Sequence, residues 1–181
     1  TNTLGTSNYR AGVNAGNTIA SGGNFNVLIG GEAGTAITTG DGNTAVGYEA
    51  LKTEDAHGTN TAVGYRALKT LNGGADTNNT AVGNNAGAGI TTGVQNTIIG
   101  ALAGDSLDDA DMNVAVGYNA LTADTLGSRS TAIGRGALAV QNFTSATDSN
   151  NTAVGFGAGV AVTTGLRNTI TGASAGTAPV S

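Results

Sequence analysis

The chain has 181 residues, with 31 glycines, one proline, no cysteine and a net charge of −5. The missing cysteines exclude a disulfide scaffold and thiolate metal sites, and an acidic balance without a basic patch argues against nucleic acid as a partner. No apolar run approaches the roughly 20 residues of a membrane-spanning helix, so membrane insertion is not expected.

Aromatics are 4% and charged residues 10% of the chain, and the apolar content is mostly Ala and Val. Few large side chains are available for a wide interior, so a thin structure with closely stacked backbones is expected. Val and Ile recur at fixed spacing, which separates the chain from a disordered Gly/Asn/Thr-rich segment.

In chain order, a degenerate first copy ends at Gly12, and Asn26–Gly30 follows. Asn43-Thr44-Ala45-Val46-Gly47 then recurs at Asn60–Gly64, Asn79–Gly83, Asn96–Gly100, Asn113–Gly117, Ser130–Gly134, Asn151–Gly155 and Asn168–Gly172. Six of the nine glycine-to-glycine intervals are 17 residues. Extra residues fall before the next Asn, as in Asp76-Thr77-Asn78, which marks a surface loop. An alanine stands three residues after each glycine. The repeat positions are thus typified by Asn43, Val46, Gly47, Ala50, by Asn60, Val63, Gly64, Ala67, and by Asn151, Val154, Gly155, Ala158.

β-Branched Thr and Val favour an extended backbone, and alternation puts Thr44 and Val46 on one face, Asn43 and Ala45 on the other. So short a strand is stabilised by pairing with its copy in the next coil. The expected fold is all-β, a parallel β-solenoid of about ten 17-residue coils forming one repeat domain over 1–181, a rod on the order of 45–50 Å long. The Asn column reads either as a ladder of stacked amides or as a turn preference. The residue after the alanine alternates in pairs, Gly16 and Gly34, Leu51 and Leu68, Gly87 and Gly104, Leu121 and Leu138, Gly159 and Gly176. Residues 37–40, 90–93 and 162–165 read as second short strands. A sparse core predicts a parallel homotrimer, with the Ala and Gly/Leu columns facing the trimer axis or a neighbouring chain.

Chemistry is sparse. His57 is the only histidine and reads as an exposed loop residue, so a Ser/His/Asp site is not expected. Asp105, Asp108, Asp109 and Asp111 match no EF-hand and read as a solvated loop rather than a calcium site. No paired carboxylates at glycosidase separation and no phosphate loop are apparent. The chain is expected to be no enzyme and to carry no metal or cofactor. One column remains as a candidate site: Tyr48, Tyr65, Tyr118 and Phe156, with Arg135, follow the repeat glycine. These rings either pack over neighbouring coils or chains, which the scarcity of large apolar residues favours, or stack on sugar rings.

The unit Asn-Thr-Ala-Val-Gly-Tyr-x-Ala-Leu at 43–51 and 60–68, and with Val114 at 113–121, resembles repeats of phage tail fibres and tail-fibre-like bacterial surface proteins. It is also similar to, though longer than, the left-handed β-roll repeats of trimeric autotransporter adhesin heads. The resemblance spans about Asn8 to Gly176. It implies a left-handed, homotrimeric, extracellular rod on a virion tail or bacterial surface, with itself and cell-surface polysaccharide or a receptor as partners. Thr1 in place of Met reads as a processed chain or a segment of a longer fibre. The competing reading is an ice-binding β-solenoid, with Thr44, Thr61, Thr80, Thr97, Thr131, Thr152 and Thr169 as its column; a glycan-degrading fibre is a third.

Overall fold

The computed structural model describes residues 5–177, so Thr1 and the reading attached to it lie outside the described residues. Twelve strands occur in chain order: β1 (Tyr9–Ala11), β2 (Val27–Ile29), β3 (Thr44–Val46), β4 (Thr61–Val63), β5 (Thr80–Val82), β6 (Thr97–Ile99), β7 (Val114–Val116), β8 (Gly127–Ser128), β9 (Thr131–Ile133), β10 (Thr147–Asp148), β11 (Thr152–Val154) and β12 (Thr169–Thr171). No helix occurs among the described residues. Ten of these strands form one sheet in the order β1-β2-β3-β4-β5-β6-β7-β9-β11-β12. All pairs are parallel, and like residues stand opposite one another: Thr44 faces Thr61, Ala45 faces Ala62, Val46 faces Val63. The chain is therefore a parallel β-solenoid of about ten turns.

Each strand ends at the repeat glycine because the next coil lies directly against it. A Cβ on Gly47 would sit 2.3 Å from the carbonyl oxygen of Gly64, at a φ of +137°. Only glycine combines that backbone with that approach. Beyond it the chain turns through left-handed conformations also adopted by non-glycine residues, as at Glu49 (φ 55°), Leu51 (φ 51°) and Thr59 (φ 65°). Such angles are unfavourable for single L-residues and persist where the surroundings over-determine them. Here backbone bonds to the adjacent coils do so, as when the Leu51 N–H donates to the carbonyl of Ala67 at 3.0 Å.

Alternation along the strands is as the sequence predicts. Asn43 and Ala45 are buried, while Thr44 and Val46 point outward and are half-buried. The Ala column does not face a trimer axis. Ala50, Ala67 and Ala158, with Leu51, Leu68, Leu121 and Leu138, are fully buried inside the chain's own coil. A single chain thus encloses a continuous core, to which Leu28, Ile37, Leu71, Ile90, Ile98 and Leu107 supply the large side chains. Residues 37–40, 90–93 and 162–165 are not strands. Their leading Ile37, Ile90 and Val162 turn into the core, and the Thr pairs after them follow bends. The second, two-stranded sheet lies elsewhere, where β10 in the longest interval pairs in parallel with β8.

The alternating Gly/Leu position is coupled to the residue three places on. Gly34, Gly87, Gly104 and Gly159 are followed by Ile37, Ile90, Leu107 and Val162, whereas Leu51, Leu121 and Leu138 are followed by Glu54, Asp124 and Gln141. A Cβ on Gly34 would come within 2.8 Å of Ile37 Cδ1, so the two positions share one volume. Where Leu fills it from one side, the other side takes a polar group. The coil of Leu68 and Leu71 is the exception.

The Asn column is a ladder, though mainly of side chain to backbone. Asn26 Oδ1 accepts from the Asn43 N–H at 2.8 Å, and Asn79 Oδ1 from the Asn96 N–H at 2.9 Å. The Nδ2 groups donate across the coil interior, Asn43 to the carbonyl of His57 at 3.0 Å and Asn96 to that of Ala110 at 2.7 Å. A buried polar column is tolerated because both ends of each amide are satisfied.

Candidate functional site

The residue after each repeat glycine lies outside the strand and outside the core, so its side chain stands on the surface, above its copy in the next coil. Tyr48 and Tyr65 stack there with ring centroids 5.6 Å apart and planes 21° from parallel. They are 45% and 40% exposed, so packing over the neighbouring coil and an open ring face coexist. The Arg66 guanidinium lies 4.8 Å from the centroid of Tyr65. Further along the same column Arg135 lies between two rings, 5.7 Å from that of Tyr118 and 5.3 Å from that of Phe156. The structure thus divides the four aromatic candidates into two separate clusters, with Asn84 and Ala101 between them.

Beside the first cluster sits an ionic group. Glu49 is buried and accepts from Lys52 Nζ at 2.8 Å, Arg66 Nε at 2.8 Å and Lys69 Nζ at 3.1 Å, and Lys52 also pairs with Glu32. The Lys52 hydrogen bond foremost, with those of Lys69 and Arg66, outweighs desolvation and holds the Glu49 carboxyl down to about 2. The pattern was present in the sequence as Glu49 and Lys52 followed one period later by Arg66 and Lys69, an offset that stacks charges directly above one another.

Beside the second cluster the surface is hollow. Tyr118, Arg135, Phe156, Gly136, Gly157 and Val160 line most of a groove of about 260 Å³, mostly apolar and open to solvent on one side.

The interior holds ionisable groups that sequence periodicity did not single out. Glu54 is fully buried; its Oε1 accepts from the His57 N–H at 3.2 Å and lies 3.4 Å from His57 Nδ1, while its Oε2 has no partner. Burial raises its pKa. His57 is consequently half-buried against a carboxylate rather than the exposed loop residue the sequence suggests. Asp124 stands at the equivalent position seventy residues on. It accepts from Gln141 Nε2 at 2.6 Å and from the N–H groups of Phe143 and Gly127, and burial raises its pKa too. The pairing of Leu with a polar residue three places later was the available signal for both.

The acidic residues Asp105, Asp108, Asp109 and Asp111 do not converge. Each accepts from a neighbouring coil: Asp108 from Thr91, Asp109 from Thr92 at 2.8 Å, Asp111 from the Val94 N–H at 2.8 Å, and Asp105 from Thr122 at 2.5 Å. Among the described residues no group of three or more His, Asp or Glu is placed to hold a metal ion, and no helix is long and apolar enough to cross a membrane.

No protein-family model, curated protein or solved structure matches the chain. The fold therefore defines the class, a parallel β-solenoid, and function is argued from its surface.

Proposed function

We propose that the chain is a rod segment of an extracellular, homotrimeric fibre with a left-handed coil, borne on a virion tail or a bacterial surface, which contacts cell-surface glycans and has no catalytic role. The observation that carries this reading is the outward file along the sheet: Ile29, Val46, Val63, Val82, Ile99, Val116, Ile133 and Val154 stack in register and stay half-buried or exposed. An apolar stripe running the length of a rod marks an association surface. Three such stripes meeting along a common axis remove it from water without distorting any coil. The interface in this proposal is the Val/Ile file, since the Ala and Leu files are already occupied inside the chain. Sedimentation equilibrium tests it: a trimer is expected for the parent chain, and a folded monomer for Val63→Glu with Val82→Glu. A parent chain that is monomeric at micromolar concentration overturns it.

A second reading rests on the Thr file beside that stripe. Thr44, Thr61, Thr80 and Thr97 face outward in register on the same sheet. A flat face with a regular file of hydroxyls and methyl groups suits ice binding. The two readings need the same face, so thermal hysteresis in a monomeric sample favours ice, and its absence from a trimeric one favours the fibre.

A further inference from the structure

We propose that the groove walled by Tyr118, Arg135 and Phe156 is a binding site for an acidic saccharide, a polymer carrying uronate-type carboxylates; this deepens, and rests on, the glycan-contact part of the fibre reading. Its wall, its floor and its charge converge on this reading. The wall is a row of flat groups, two rings with a guanidinium between them. Phe156 is 54% and Tyr118 46% exposed, so each ring offers a free face to the C–H surface of a pyranose.

The floor is open for a reason other than backbone geometry. Gly136 and Gly157 adopt φ of +67° and +61°, and a Cβ on either meets nothing within 4 Å. The same position in other coils holds Glu49, Arg66, Asn85, Leu102 and Asn119 at φ of 53° to 57°. Side chains are therefore accommodated there, and their absence from two consecutive coils leaves the groove. At the corresponding place beside Tyr48 and Tyr65, Arg66 and Lys69 stand where Gly136 and Ala139 stand here. That copy is filled and neutralised by Glu49.

Charge selects the ligand. Among the described residues no carboxylate lies within ion-pair distance of Arg135. Residues 126–177 contain three arginines and one aspartate, and that aspartate, Asp148, pairs with Arg129 at 3.1 Å. Residues 1–125 contain eleven acidic residues against four basic ones. The groove thus sits in the one basic stretch of an acidic chain, with its guanidinium available for a carboxylate. Asn119 also lines the groove. The volume lies just below the roughly 300–1,000 Å³ of drug-sized sites, which suits one or two ring units of a longer polymer.

The test is calorimetric titration of the full chain with oligogalacturonate, alginate and hyaluronate and with the neutral methyl ester of the first, in parallel with Gly136→Leu, Arg135→Ala and Tyr48→Ala. Leu102 occupies the same column at φ 56°, so Gly136→Leu fills the groove in a left-handed backbone that the fold already holds at a leucine. Oligogalacturonate is expected to bind, and its affinity to fall about tenfold or more on esterification, in Gly136→Leu and in Arg135→Ala, while Tyr48→Ala leaves it unchanged. Undiminished binding by a folded Gly136→Leu, equal binding of the ester, or no binding of oligogalacturonate, alginate or hyaluronate each overturns the site. Sedimentation of the same samples separates the two proposals. A monomer that binds through the groove keeps the site and sinks the fibre. A trimer that binds only neutral sugars, or binds through Tyr48 and Tyr65, keeps the fibre and sinks the site.

Discussion

Gln141 reaches across the interior of its coil to Ser130, with Nε2 donating to Oγ at 2.9 Å. Ser130 is the one serine in a column otherwise made of asparagine, and its side chain is too short to span the coil. Gln141 fills the gap and ties three coils together, since Nε2 also donates to Asp124 Oδ2 at 2.6 Å and Oε1 accepts from Asn151 Nδ2 at 2.8 Å. Leu71 occupies the equivalent position elsewhere, so Gln141→Leu is sterically acceptable and removes only these bonds. It leaves Asp124, Ser130 and Asn151 short of partners, and urea unfolding is expected to show a loss of about 2–4 kcal/mol.

The stacking of coils was legible in the recurrence of Asn-Thr-Ala-Val-Gly, because one residue type kept at one position across coils requires equivalent surroundings. Strand alternation alone separates Thr44 and Val46 from Asn43 and Ala45; that the Asn43/Ala45 face is the buried one comes from the structure. Besides the three segments that are not strands and the half-buried His57, two features were not legible. The composition suggests a core too poor for one chain and so points the Ala50 and Leu51 files at a chain–chain contact, whereas pairing Gly with Ile, Leu or Val, and Leu mostly with a polar residue, fills a narrow interior. The groove beside Arg135 was hidden because glycine in a glycine-rich repeat looks like a turn requirement. Only the side chains tolerated at the same φ in neighbouring coils reveal Gly136 and Gly157 as space.

Two glycines with positive φ should respond to very different extents to the same substitution. In Gly47→Ala the new Cβ meets the Gly64 carbonyl oxygen at 2.3 Å, and displacement of a strand edge is expected to cost about 3 kcal/mol or more. Gly136→Ala meets nothing, so only the left-handed φ is left to cost stability, about 1 kcal/mol. Thermal melting of the two variants beside the parent chain checks the contrast; equal losses contradict the stacked-glycine account.

Acid and alkali should act through different carboxylates. The folded-state pKa of Glu49 is depressed, so its stabilisation is complete above the ordinary value of 4.5 and is lost as pH falls toward about 2. Glu49→Gln should abolish that acid-side loss. Glu54 behaves in the opposite sense. Burial raises its pKa, so its neutral form suits the fold below the ordinary value and stability declines as pH rises through the raised one. Glu54→Gln is expected to melt higher than the parent at pH 8 and equally at pH 4. The measurement is Tm from below the depressed Glu49 value up to pH 8, and curves for a variant that run parallel to the parent's reject the assignment.

Replacing Tyr48 and Tyr65 together by alanine should leave the fold in place. Both rings are partly exposed and stack on each other at 5.6 Å, a contact worth about 0.5–1.5 kcal/mol. A small fall in Tm with an unchanged circular dichroism spectrum is expected. Loss of folding would instead make these rings indispensable to packing between coils.

The paired alternation of Gly-type and Leu-type coils sets a larger module than the single turn. Gly47, Leu51, Glu54 and the strand β3 have their counterparts at Gly117, Leu121, Asp124 and β7, and the next coil's Gly64 and Leu68 at Gly134 and Leu138. A genetic duplication or deletion confined to one turn would break this two-and-two order of Gly-type and Leu-type coils. One spanning four turns, about 70 residues and on the order of 19 Å of axis, would splice like surfaces onto like. Length variation among descendants of such a gene should therefore come in steps of four turns, each step adding a full set of surface files on which new recognition features can diverge.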